Sequence, residues 1–175
     1  MPKCDRLVGV GRRQFLRGGA MAAAGATAAA VTPSAPAGAA VRARVDYPST
    51  RLANIKDLQS NTPLDIEYPD ADSPGVLIKL GESVPGGAGP DGDIVAYSVL
   101  CPHKGYQLLY DGSDKTLNCP GHYSRFDTEM EGQQIFGMSN QSLPKFDLRI
   151  DDNGDIFAEG VDELIYGRSS NVLTG

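Results

Sequence analysis

The sequence predicts an all-β domain, an antiparallel sandwich or barrel, and three observations support this. From Val45 onward, short apolar or alternating runs rich in β-branched and aromatic residues recur. Turn chemistry separates them, with 21 Gly and 12 Pro in 175 residues. No segment beyond residue 40 holds a sustained 3.6-residue apolar period, an internal repeat or a heptad. Taken in order, Leu64, Ile66 and Tyr68 alternate with Asp65 and Glu67, the pattern of a strand with one wet face, and Tyr68-Pro69-Asp70 ends it. Residues 76–80 and 94–100 are apolar and partly β-branched runs, read as buried strands, and the Gly/Pro-rich stretch 85–92 is the loop between them. Phe146, Leu148 and Ile150 alternate with Asp147, Arg149 and Asp151. Asn153-Gly154 then reads as the positive-φ pair of a tight hairpin, with residues 156–158 returning. A hydrophobic content of 41% is ordinary for a globular chain, and the length suits one domain.

The N-terminus reads as an address. Arg12 and Arg13 lie in a basic stretch over residues 9–19, an Ala-rich run follows over 20–31, and then come Pro33 and Pro36. This resembles a twin-arginine export signal. Ala37 and Ala39 fit an Ala-x-Ala cut, so residues 1–40 are expected to be the signal and residues 41–175 the mature domain, placed in the periplasm. The Ala-rich run falls short of the roughly 20 strongly apolar residues that a spanning helix needs. Membrane attachment is therefore not expected, and a retained anchor is the second choice.

Removing the signal changes the charge. The whole chain has 16 basic and 22 acidic residues, net −6. The signal holds Lys3, Arg6, Arg12, Arg13 and Arg17 against Asp5, which leaves 11 basic and 21 acidic groups, net −10. Such a domain repels phosphate backbones, so nucleic acid is excluded as a partner. The acidity fits steering of a basic electron-transfer partner, and it equally fits plain solubility.

The chemistry is concentrated in one window. Of 3 Cys and 2 His, Cys4 belongs to the export segment, and the other four fall within 22 residues. The window opens with Cys101-Pro102-His103-Lys104-Gly105-Tyr106 and closes with Cys119-Pro120-Gly121-His122-Tyr123-Ser124. As a pattern it is Cys-x-His, 15 residues, Cys-x-x-His. Two cysteines in an exported protein can form a disulfide, but that leaves the paired histidines unexplained. A structural zinc site usually sets two cysteines on one arm and two histidines on the other. Mixed arms suit a 2Fe-2S cluster in which one iron takes both thiolates and the other both imidazoles.

This pattern resembles the Rieske family. The resemblance implies one 2Fe-2S cluster, with Cys101 and Cys119 on the buried iron and His103 and His122 on the outer iron. It also implies a Rieske-type antiparallel β-sandwich or barrel with a cluster-binding loop subdomain over about 99–145. The role implied is a one-electron relay with no acid, base or nucleophile of its own. Replacing two thiolates by neutral imidazoles raises the potential from about −400 mV into a range of roughly −150 to +300 mV. Tyr106 and Gly121 stand where high-potential members carry a loop-bracing disulfide. Ser124 matches the family serine that donates to a bridging sulfide. Phe126 stands where those members have a tyrosine donor to a cysteine sulfur, which predicts a lower potential than a Tyr variant would show. Residues 137–144 resemble the third loop covering the cluster, with Leu143 and Pro144 as an apolar shell.

Among exported Rieske proteins the chain most resembles the small-subunit family of arsenite oxidase. The resemblance runs through Asn54-Ile55-Lys56-Asp57-Leu58, Tyr68-Pro69-Asp70, both boxes, Gly132-Gln133 and Leu164-Ile165-Tyr166-Gly167-Arg168. It implies a heterodimer with a large molybdopterin and iron-sulfur catalytic subunit that oxidises arsenite to arsenate. Electrons would leave through this subunit to a periplasmic cytochrome c or cupredoxin. The alternative is the Rieske subunit of a cytochrome bc complex oxidising quinol, which predicts a retained membrane helix and the loop disulfide. A zinc-stabilised periplasmic β domain acting as a binding module is the reading from a different class.

Overall fold

The structure is a computed structural model that describes residues 46–172. The export-signal reading of residues 1–40 lies outside the described residues. Among these, ten strands and one short 3₁₀ helix form three antiparallel sheets. The first sheet has the order β1-β10-β9, from Thr50–Asn54, Asp155–Val161 and Phe146–Ile150. The second is β2-β3-β4, from Pro63–Glu67, Pro74–Lys79 and Ile94–Ser98. The third is β5-β6-β7-β8, from Leu109–Asp111, Thr116–Asn118, Arg125–Asp127 and Gln133–Phe136. The all-β antiparallel architecture expected from the alternating runs is the one observed.

The middle sheet explains the two apolar runs. Strands β3 and β4 are covered on both faces, so both sets of alternate side chains must be apolar. Val76, Ile78, Val95 and Tyr97 face a core shared with Leu108, Leu117, Phe126, Leu143 and both described cysteines. Leu77, Ile94 and Ala96 point the other way, into a core with Phe146, Ile156, Ala158 and Ile165 from the first sheet and the C-terminal segment. Full burial of each large apolar side chain contributes roughly 1.5–3 kcal/mol. Strand β4 thus ties the β-sandwich to the loop-bearing sheet, and the isolated bridge between Tyr97 and Lys145 extends that tie to the start of β9.

The 3₁₀ helix Ile55–Asp57 follows from a capping box. The Asn54 side chain accepts from the Lys56 amide at 3.1 Å, and Asp57 accepts from the Asn54 amide at 3.2 Å. Two local expectations change. Leu64 shares a face with Ile66 but is 37% exposed, because β2 is an edge strand and only Ile66 reaches the core. The β9–β10 hairpin does not use a positive-φ pair: Gly154 alone takes φ +82°. Three residues connect Asp151 to Asp155, with the Gly154 amide bonded to the Asp151 carbonyl at 2.9 Å, which is a turn followed by a left-handed glycine. The Asp151 carboxylate accepts from the Asn153 and Asp155 amides and holds the turn. No helix among the described residues is long and apolar enough to cross a membrane.

Candidate metal centre

Two loops carry the four donors, and they are built alike. The first leaves β4 and is closed at its base by a bridge between Leu100 and Gln107. Within it the Cys101 amide bonds to the Tyr106 carbonyl at 2.9 Å and the Gly105 amide to the Cys101 carbonyl at 2.7 Å. The second joins β6 to β7. There the Cys119 amide bonds to the Ser124 carbonyl at 2.8 Å and the Tyr123 amide to the Cys119 carbonyl at 3.1 Å. Each cysteine therefore opens the same two-bond turn. The residue four places on is left-handed in both loops, Gly105 at φ +71° and Tyr123 at φ +60°.

This repeated geometry brings the donors together as two like pairs. Cys101 and Cys119 are free and buried in the same core cluster. Burial pushes the Cys101 thiol up, while the His103 and Lys104 amides, aimed at its sulfur, favour negative charge there. His103 and His122 meet edge to face with ring centroids 4.7 Å apart. His122 is exposed and His103 half-buried, so the imidazoles form the outer end of the site. His103 Nδ1 is buried and has no hydrogen-bond partner among the described residues, which fits an atom that would ligate a metal.

The donor set fits a two-iron group. No three His, Cys, Asp or Glu side chains among the described residues converge on a single ion. A tetrahedral zinc site requires four donors around one centre. A soft sulfur pair at the buried end and an imidazole pair at the exposed end instead match the Cys₂ and His₂ irons of a 2Fe-2S cluster.

The residues beside the four donors make contacts of their own. Ser124 is fully buried, and its Oγ accepts from the Met138 amide at 3.1 Å and the Ser139 amide at 2.9 Å. Those bonds use its lone pairs and leave the hydroxyl proton free to point at the site. They also show how loop 137–144 is held, a connection that its composition does not reveal. Phe126 is fully buried, opposite Leu117 on β6, in the same core as both cysteines. Leu143 joins that core as well. Tyr106 and Gly121, read as a missing brace, are in contact. A Cβ on Gly121 would meet the Tyr106 ring at 2.9–3.1 Å, and that ring stands edge to face on His122 at 5.7 Å. An aromatic ring seated on a glycine takes the place of the covalent link.

Fold and loops together define a small iron-sulfur electron carrier, and the chain belongs to the Rieske [2Fe-2S] domain family, whose model matches residues 49–147. The domain holds one Rieske-type cluster and serves as an electron-transfer subunit of an oxidoreductase. Within the family it is similar to iodate reductase subunit IdrB of Denitromonas iodatirespirans, 38% identical over 91% of this chain and 85% of that one. The Rieske iron-sulfur subunit of the cytochrome bc1 complex of Corynebacterium efficiens is 36% identical, but over only 39% of this chain and 17% of that one. Among solved structures, the soluble domain of Rieske protein II (soxF) from Sulfolobus acidocaldarius superposes with a TM-score of 0.62. It is 25% identical and covers 70% of this chain and 82% of that one.

Proposed function

We propose that this chain is the electron-relaying small subunit of an exported heterodimeric oxidoreductase, whose large molybdopterin and iron-sulfur subunit oxidises arsenite to arsenate. The observation that carries the class is the extent of similarity. It spans 91% of the chain and 85% of a subunit named for iodate reduction, whereas the quinol-complex relative matches only 39% of the chain. A small subunit of an enzyme acting on an inorganic oxyanion is thus favoured over one serving a quinol. The arsenite assignment rests on the outer segments, from Asn54-Ile55-Lys56-Asp57-Leu58 to Leu164-Ile165-Tyr166-Gly167-Arg168.

In this reading Cys101 and Cys119 hold the buried iron and His103 and His122 the outer iron. The bound cluster supplies a one-electron carrier. Around such a cluster Phe126 and Leu143 would exclude water, the His103 and Lys104 amides would favour negative charge on the Cys101 sulfur, and the Ser124 hydroxyl would be the hydrogen-bond donor. Export by the twin-arginine route places the relay in the periplasm, where a cytochrome c or cupredoxin takes the electron.

A second reading, iodate reduction, is favoured by the relative's name and runs electrons the opposite way. One experiment on the purified complex separates the two. Arsenite should reduce the oxidised cluster and produce the Rieske electron-paramagnetic signal, whereas iodate should leave a pre-reduced cluster unchanged. Oxidation by iodate with no response to arsenite would overturn the arsenite assignment. Cys101→Ser and His122→Ala should each abolish the signal. Arg12→Lys with Arg13→Lys should leave the chain in the cytoplasm.

A further inference from the structure

We propose that the C-terminal segment 163–171 is a clamp on the first cluster loop, with Tyr166 as a positioning residue that holds the Cys101–Tyr106 turn in place. The proposal rests on the assignment of Cys101 and His103 as cluster ligands.

The segment is tied down at Glu163, Ile165, Arg168 and Asn171. Ile165 is buried in the core beside β9 and β10. Its amide donates to Asn171 Oδ1 at 2.9 Å, and the Asn171 amide group in turn donates to the Glu163 carbonyl and the Tyr47 hydroxyl. Arg168 makes a two-point contact with Asp70, Nη1 to Oδ2 at 2.7 Å and Nη2 to Oδ1 at 2.6 Å, across 98 positions of sequence. Asp70 is held from behind by the Ser73 hydroxyl and the Asp72 amide. Between these anchors the Arg168 amide closes a turn on the Ile165 carbonyl at 3.2 Å. That turn presents Tyr166.

The ring of Tyr166 goes to one place. A Cβ built on Gly105 would lie 2.5 Å from both Cδ1 and Cε1 of Tyr166, so the ring rests directly on the Gly105 backbone. The Gly105 amide is the donor that closes the loop onto the Cys101 carbonyl. The Tyr166 hydroxyl takes part in no hydrogen bond among the described residues, so the contact is one of ring area alone. On its other side the same loop is gripped by Tyr106 seated on Gly121. A loop without a covalent brace is thus held between two aromatic contacts, one reaching the second loop and one reaching an ion-paired anchor. Releasing the anchored contact frees the turn that carries Cys101 and His103 and the amides aimed at the Cys101 sulfur. The strands beneath do not depend on it.

The test uses the full chain in its complex, with Tyr166→Ala, Tyr166→Phe and Arg168→Gln. Tyr166→Ala is expected to speed bleaching of the cluster by a chelator about five-fold or more. It should also raise amide exchange in the peptide 101–106 without changing exchange in β3 and β4, and shift the midpoint potential. Tyr166→Phe keeps the ring and should behave as the parent. Arg168→Gln should fall between the two. Parent values for bleaching, exchange and potential in Tyr166→Ala would overturn the clamp, as would a Tyr166→Phe variant as impaired as Tyr166→Ala. Retention of the Rieske signal by Cys101→Ser would instead overturn the ligand assignment, and the two failures are read separately.

Discussion

Ser124 ends the second loop and Phe126 lies two residues on, in β7, and each sets the charge environment of sulfur in a different way. The Phe126 ring is fully buried with both cysteines, so it excludes water and donates no hydrogen bond. A hydroxyl there that favours the reduced state by about 1 kcal/mol raises a one-electron couple by roughly 40 mV. Phe126→Tyr is therefore expected to raise the midpoint by that order in a redox titration, and an unchanged or lowered value would refute the role given to the missing donor. Ser124→Ala removes the acceptor for the part-buried Met138 amide and the buried Ser139 amide, as well as a donor toward the cluster. The orphaned Ser139 amide, which is buried, costs about 1–3 kcal/mol. The variant should unfold at lower denaturant and show a lower potential, and Ser124→Thr should restore both in part.

The loops work as elements because backbone, not only side chains, makes the contacts. Gly137 has φ +95°, and a Cβ there would lie 2.4 Å from the Ser124 Cα. Gly137→Ala must push the covering loop off the second cluster loop and take on a left-handed strain of roughly 1–2 kcal/mol besides. The expected outcome is a lower melting temperature together with faster cluster loss, both followed in one heating experiment by visible absorbance. The C-terminal segment adds a pH dependence. Arg168 beside Asp70 holds that carboxyl below the usual carboxylate range. A folded-state value below the unfolded one means that the stabilisation is present above about pH 4 and is lost as pH falls through the lowered value. Melting curves of the parent and Asp70→Asn should thus differ at pH 7 and draw together as pH falls below about 4. Curves that stay parallel would show that the pair contributes nothing.

At the scale of the whole molecule, the domain is an acidic body, net −10 over residues 41–175, with the imidazole pair at the outer end of its site. Long-range attraction then favours a cationic acceptor, and salt screens it over about 10 Å at 0.1 M. Reduction of a basic cytochrome c should slow several-fold between low and moderate ionic strength. Reduction of an acidic cupredoxin should quicken, and stopped-flow traces at two salt concentrations measure both.

Much of this was legible in the residues. Period-two alternation marks β9, and largely apolar runs mark β3 and β4, because a strand covered on both faces has little polar side to show. The mixed Cys/His boxes define the donor types and their grouping, since no other histidine and only one other cysteine exist in the chain. Hairpin geometry at Asn153-Gly154 was misread by one residue, because dipeptide chemistry does not state the loop length that the ladder imposes. Sequence by itself determined an all-β domain with one cluster-type site that takes both histidines and two of the three cysteines. Tertiary structure alone decided what holds that site: Tyr106 on Gly121, Ser124 beneath Met138 and Ser139, and Tyr166 on Gly105. These contacts join positions up to 61 residues apart in the numbering, and a contact of that span is set by how the sheets meet rather than by any local pattern.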